Sequence, residues 1–115
     1  MFSKIYKIES LICNDVYYGC TTKKYLSERM TYYRHEYKKY LNSKENNEEF
    51  KHYIDSKIEY GHESLLILFQ LFDKYNIKNF KINLVDTIDS NNKEQLKSSY
   101  FDYIKNNQNI NMINK

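Results

Sequence analysis

Four residues in the first third of this 115-residue chain carry side chains that could act together on an anion: Tyr6, Tyr17, Arg29 and Tyr33. A guanidinium offers fixed, paired N–H donors that match phosphate oxygens, and it keeps its charge at any working pH. A phenol, with an ordinary pKa near ~10, becomes a base at neutrality only beside a cation or a metal-bound water. Tyr6 closes Lys4-Ile5-Tyr6 and Tyr17 opens Tyr17-Tyr18-Gly19. Arg29 and Tyr33 are four positions apart and so share one stripe of a helix. Each residue also has a plainer reading. Tyr6 and Tyr17 suit sheet aromatics packed on a helix, and Arg29 suits a solvated cation paired with Glu28 or Glu36.

The elements that must position these groups are legible from periodicity. Ile5-Tyr6 with Ile8, and Val16-Tyr17-Tyr18, are β-branched and aromatic runs, and Cys13-Asn14-Asp15 between them reads as the turn of a hairpin. Strand alternation lets Tyr6 and Tyr17 share a face if the register permits. Gly19 marks a point of backbone freedom or close approach. From Tyr25 to Leu41 the period changes: Leu26, Met30, Tyr33, Tyr37 and Tyr40/Leu41 recur at helical spacing, with Thr22 or Ser27 near the start. Residues 42–49 read as a polar loop. Phe50 to Ile58 reads as a short helix ended by Gly61, Leu65 to Tyr75 as a strongly apolar helix, and Asn76 to Asn79 as a turn. Phe80, Ile82, Leu84 and Ile88 alternate as one apolar face of a third strand. Asp89 to Asn92 suits a turn and helix cap before a last helix through Leu96, Tyr100, Tyr103 and Ile104. Residues 106–115 read as coil. The expected architecture is α/β of the α+β kind: one domain over residues 1–115, a small three-stranded sheet flanked by helices.

Composition narrows the functional classes. Hydrophobic residues make up 41% of the chain, with 13 Tyr and 6 Phe, enough for a packed core. The longest apolar run, Leu65 to Phe69, is far too short for a membrane span. The first residues carry charge where a signal peptide needs apolar ones. Cys13 and Cys20 lack zinc spacing to His or another Cys and read as free thiols. A cytoplasmic or nuclear, non-secreted protein is expected. Lys, Asn, Ile and Tyr abound, all of them A/T-rich codons, so lysine number alone says little. Distribution says more. Residues 1–45 hold nine Lys or Arg and five acids, whereas residues 46–115 hold nine lysines and ten acids. A basic first third suggests one face that meets an anion.

The order and spacing of these segments resemble the GIY-YIG nuclease superfamily over nearly the whole chain. Lys4-Ile5-Tyr6 stands for the first tripeptide, with Lys in place of Gly, and Tyr17-Tyr18-Gly19 for the second, with Tyr in the middle. Leu26-Ser27-Glu28-Arg29 carries the family's helical arginine. Residues 71–77 (Leu-Phe-Asp-Lys-Tyr-Asn-Ile), Tyr103-Ile104-Lys105 and Asn114 resemble viral and phage members. The resemblance implies metal-assisted hydrolysis of a DNA phosphodiester, with Mg²⁺ or Mn²⁺ as cofactor, on a three-stranded antiparallel sheet. Tyr17 would orient or deprotonate the attacking water, Tyr6 would support it, and Tyr33 takes a place that often holds His or Tyr. Lys23, Arg29 and Asn114 would bind phosphate.

One departure changes the expectation. The family's metal-binding glutamate falls at Tyr100, and a neutral phenol does not replace a carboxylate as a ligand for Mg²⁺. Asp102 lies about 200° round the helix, and Glu94 about 120° off the stripe and roughly 9 Å along the axis. The expected function is therefore a nuclease-like domain that contacts nucleic-acid phosphate with its metal site broken. The alternatives are an active endonuclease with a displaced carboxylate and a protein-interaction module on the same fold.

Overall fold

The computed structural model describes residues 2–89, 91–108 and 111–114. The elements run β1 (Phe2–Ser10), β2 (Cys13–Thr21), α1 (Leu26–Ser43), α2 (Asn47–Glu59), α3 (Glu63–Tyr75), a short 3₁₀ turn (Ile77–Asn79), β3 (Phe80–Asp89) and α4 (Lys93–Asn106). The fold is α+β, with a three-stranded antiparallel sheet in the order β2-β1-β3. Among the described residues no helix is long and apolar enough to cross a membrane.

β1 is central, and its two faces serve different helices. Tyr6 and Ile8 point to one face, opposite Gly19 and Tyr17 of β2. They join Met30, Tyr33 and Tyr40 of α1 and Leu65, Leu66, Leu68, Phe69 and Phe72 of α3 in the main core cluster. Each such buried side chain stabilises the fold by about 1.5–3 kcal/mol, so α3, with five, anchors that layer. On the other face Tyr18, paired with Lys7, meets Tyr103 of α4 at a ring separation of 6.4 Å. α4 therefore covers the face opposite α1 and α3.

Several sequence expectations are corrected. The hairpin turn is Leu11–Ile12, not residues 13–15: Ser10 pairs with Cys13, and a register shift between Ile8 and Ser10 takes up the polar Asn14-Asp15 inside β2. A second shift, between Ile5 and Tyr6, leaves Val85 of β3 as the extra residue of a bulge. Ile82 thus lies across from Ile8 on one face and Ile88 across from Ser3 on the other, so β3 has no single apolar face. Asp89 is the last residue of β3 and not part of the turn. The loop expected over 42–49 shrinks to residues 44–46, with the Asn46 side chain capping α2. The capping position before α1 is Tyr25, with no side-chain cap bond, so neither Thr22 nor Ser27 serves there. The C-terminal segment is not free coil. Met112 bridges Val16 and is buried, with backbone bonds from Val16 to Asn111 and from Ile113 to Val16. Asn109, Ile110 and Lys115 lie outside the described residues.

Candidate functional site

The hairpin register and the α1 stripe bring all four singled-out residues together. Tyr6 sits directly across from Gly19, and a Cβ at position 19 would overlap the Tyr6 ring and hydroxyl. This glycine is therefore required for close approach, and it lets Tyr6 lie flat under α1, 1% exposed. Tyr33, equally buried, stands edge-on between Tyr6 and Tyr17, at ring separations of 6.2 and 5.8 Å. The Tyr6 and Tyr33 hydroxyls share a hydrogen bond of 2.5 Å. One turn earlier on α1, Arg29 donates through Nε to the Tyr6 hydroxyl at 3.4 Å and through Nη2 to the Tyr33 hydroxyl at 3.3 Å. Its guanidinium also lies over the rings of Tyr32 and Tyr33, at 4.3 and 5.1 Å.

Electrostatics at this cluster favour one charge only. Burial, then the Tyr33 hydroxyl, pushes the Tyr6 phenol far above its ordinary range against the opposing pull of Arg29. Burial, then Tyr33 and Tyr6, does the same to Tyr17. Burial also opposes charge on Arg29, but the accepting hydroxyls of Tyr6 and Tyr33 more than offset it and the guanidinium stays protonated. Among the described residues no carboxylate pairs with Arg29, so the expected alternative of a bridge to Glu28 or Glu36 is not formed. Glu36 instead holds Lys39 and Lys57.

Arg29 opens into a cleft of about 420 Å³ between the end of β2, the start of α1 and one side of α4. Among the described residues its walls carry Lys23, Arg29, Lys93 and Lys97 and no Asp or Glu. Two other clefts differ in their charge. One of about 450 Å³ below the hairpin tip mixes Lys78 and Lys81 with Glu9, and one of about 360 Å³ beside β3 has only Arg34 and Lys81 as cations. Lys93 and Lys97 were not anticipated. They lie seven and three positions before Tyr100, on one stripe with Leu96, a signal visible once Tyr100 is taken to face the sheet. The basic first third thus supplies half of the cationic wall, and the nearly neutral remainder supplies the rest.

Tyr100 lines the same cleft and donates to the Tyr18 carbonyl at 3.2 Å. Burial, then Cys20 and Tyr33, raises its phenol well above the ordinary range. Neither Glu94 nor Asp102 lines the cleft. Among the described residues no group of three or more His, Cys, Asp or Glu is placed to hold a metal ion. Of the residues that the resemblance assigns to phosphate, Lys23 and Arg29 line the cleft and Asn114 does not. Its side-chain oxygen accepts from the Tyr18 N–H at 3.0 Å and its amide donates to the Tyr18 carbonyl, so it clasps the edge of β2. Cys13 and Cys20 are both free thiols. Comparison with family models, with curated proteins and with solved structures gives no match for this chain.

Proposed function

We propose that this chain is a GIY-YIG-like domain that holds nucleic-acid phosphate in the Arg29 cleft without hydrolysing it. One observation carries the reading: a permanently charged guanidinium, hydrogen-bonded to two neutral hydroxyls and without a carboxylate partner among the described residues, shares a cleft with Lys23, Lys93 and Lys97. A partly buried cation without a counter-charge favours an anion that supplies one, and phosphate oxygens match the donor geometry of arginine.

The same wall argues against a resident Mg²⁺ or Mn²⁺. Hard divalent cations need anionic oxygen, and the residues present would repel a cation, so they do not fit the metal that the family resemblance implies. The raised phenols of Tyr6 and Tyr17 leave neither as a base at neutral pH. The donors that remain bind and orient phosphate.

Two measurements on one protein sample test this. A plasmid-nicking assay with Mg²⁺ or Mn²⁺ should give no cleavage above background; robust nicking that Arg29→Ala abolishes overturns the non-hydrolytic reading. Affinity for an oligonucleotide should fall with salt, with a slope near −3 for a single strand if four cations each displace about 0.7 counterion. A flat salt response, or no binding at low salt, removes the phosphate reading altogether.

A further inference from the structure

Three exposed aromatic rings belong to residues next to or near those of the cationic cleft, each with a cation held against it. Tyr25, two residues beyond the wall residue Lys23, is 59% exposed, and Lys24 Nζ lies 5.4 Å from its ring centre. Tyr32 is 42% exposed and lies under Arg29 itself. Phe101, next to Tyr100, is 56% exposed, and Lys97 Nζ lies 5.8 Å from its ring. Exposed rings are common in so tyrosine-rich a chain. Tyr32 and Phe101 differ from Tyr60, 72% exposed at the end of α2, because each holds a wall cation, Arg29 or Lys97, against its ring, and Tyr25 follows the wall residue Lys23 by two positions.

We infer that the cleft accepts an unpaired nucleic-acid strand, whose phosphates lie along Lys23, Arg29, Lys93 and Lys97 while its bases stack on Tyr25, Tyr32 and Phe101. This rests on the phosphate-binding reading above and adds the substrate class to it. A duplex presents phosphates, but its base faces are hidden in the stack. Only unpaired bases offer a π-face to a side chain, and a positive groove edged by aromatic rings is the usual physical solution for a single strand. The cations over the rings strengthen the case. A guanidinium or ammonium set against an aromatic face keeps its outer N–H donors free for a phosphate while the ring stays rigid for a base.

The test is fluorescence anisotropy with labelled 12-mers of one sequence, as single-stranded DNA, single-stranded RNA and DNA duplex, at a fixed low salt. Either single strand should bind about tenfold or more tighter than the duplex, and whichever binds tighter assigns the sugar. Tyr32→Ala and Phe101→Ala should each lower single-strand affinity by about fivefold or more, and by clearly more than they lower duplex affinity. Tyr32→Leu, which keeps apolar bulk but not the ring, should match Tyr32→Ala, and Tyr60→Ala should match the parent chain. Equal or tighter duplex binding, or ring variants that bind single strands like the parent, overturns this inference while leaving the phosphate reading intact. Loss of binding to all three probes removes both.

Discussion

Two tyrosine-and-cation clusters stand at opposite ends of α1, and they differ in one group. At the C-terminal end, Asp73 of α3 accepts from Tyr37 at 2.5 Å, Tyr40 at 3.1 Å and Lys44 at 2.5 Å. Cation, phenols and carboxylate are all satisfied within the protein, and the cluster fastens α1 to α3. At the N-terminal end, Tyr6, Tyr33 and Arg29 form a similar set with no carboxylate, and the surplus charge faces a cleft with three lysines. A closed cluster fixes the fold, whereas the open one is, on the function proposed above, the place where an anion from outside would bind. Similar residue types thus meet a carboxylate in one place and, among the described residues, none in the other.

The largest effect should come from removing the open cation. Arg29→Met keeps apolar bulk on α1 but deletes the donors, and oligonucleotide affinity should fall about tenfold to a hundredfold, the range of a lost charge-assisted bond. Titration against the parent chain checks it, and unchanged affinity would place the anion elsewhere. Next, Gly19→Ala should expel the Tyr6 ring from beneath Arg29, destabilising the fold by about 1–3 kcal/mol, as forced overpacking does. Urea denaturation reads this, and a neutral result would mean that the Tyr6 ring can move aside freely.

The smallest effect belongs to the closed cluster and depends on pH. Burial alone would raise the Asp73 carboxyl, but its bonds from Lys44 and Tyr37, with Tyr40, outweigh that and hold it below the usual aspartate range. A depressed carboxyl stabilises the fold fully above its unfolded pKa near ~4, and the contribution fades as pH falls through the lower folded value. Asp73→Asn should thus cost about 1 kcal/mol at pH 7, since both ends of the ion pair are partly exposed and screened. The gap between variant and parent should close towards pH 3 in thermal melts. A gap independent of pH would assign the stabilisation to packing instead.

Much of this arrangement was legible in the sequence, for reasons that also explain the failures. The α1 stripe and the shared sheet face of Tyr6 and Tyr17 follow from short-range periods, and so Arg29, Tyr33, Tyr6 and Tyr17 could be expected to meet. The hairpin turn could not be placed, because its Leu11-Ile12 pair is apolar and exposed while polar Asn14-Asp15 lies within β2. The Val85 bulge leaves no local mark, and it moves Ile88 to the opposite face from Ile82. Asp73 looked like an ordinary helical residue, since its three donors lie 29 to 36 positions away. Asn114 offered an amide suited to phosphate, but the C-terminal segment docks on β2 and turns that amide to the Tyr18 backbone. Lys93 and Lys97 were passed over because a count of charge along the chain does not reveal which lysines fold towards one another.

The most direct test of the open cluster is an NMR titration of the ¹⁵N-labelled chain with a short oligonucleotide, following the Arg29 Nε–H resonance and the backbone amides. The account predicts saturable shifts at Arg29 Nε–H and at the amides of Thr22, Lys23 and Lys97, with the amides of Tyr37, Tyr40 and Asp73 unmoved. Shifts centred on the Asp73 end of α1, or an Arg29 resonance that stays fixed while binding saturates, would contradict it.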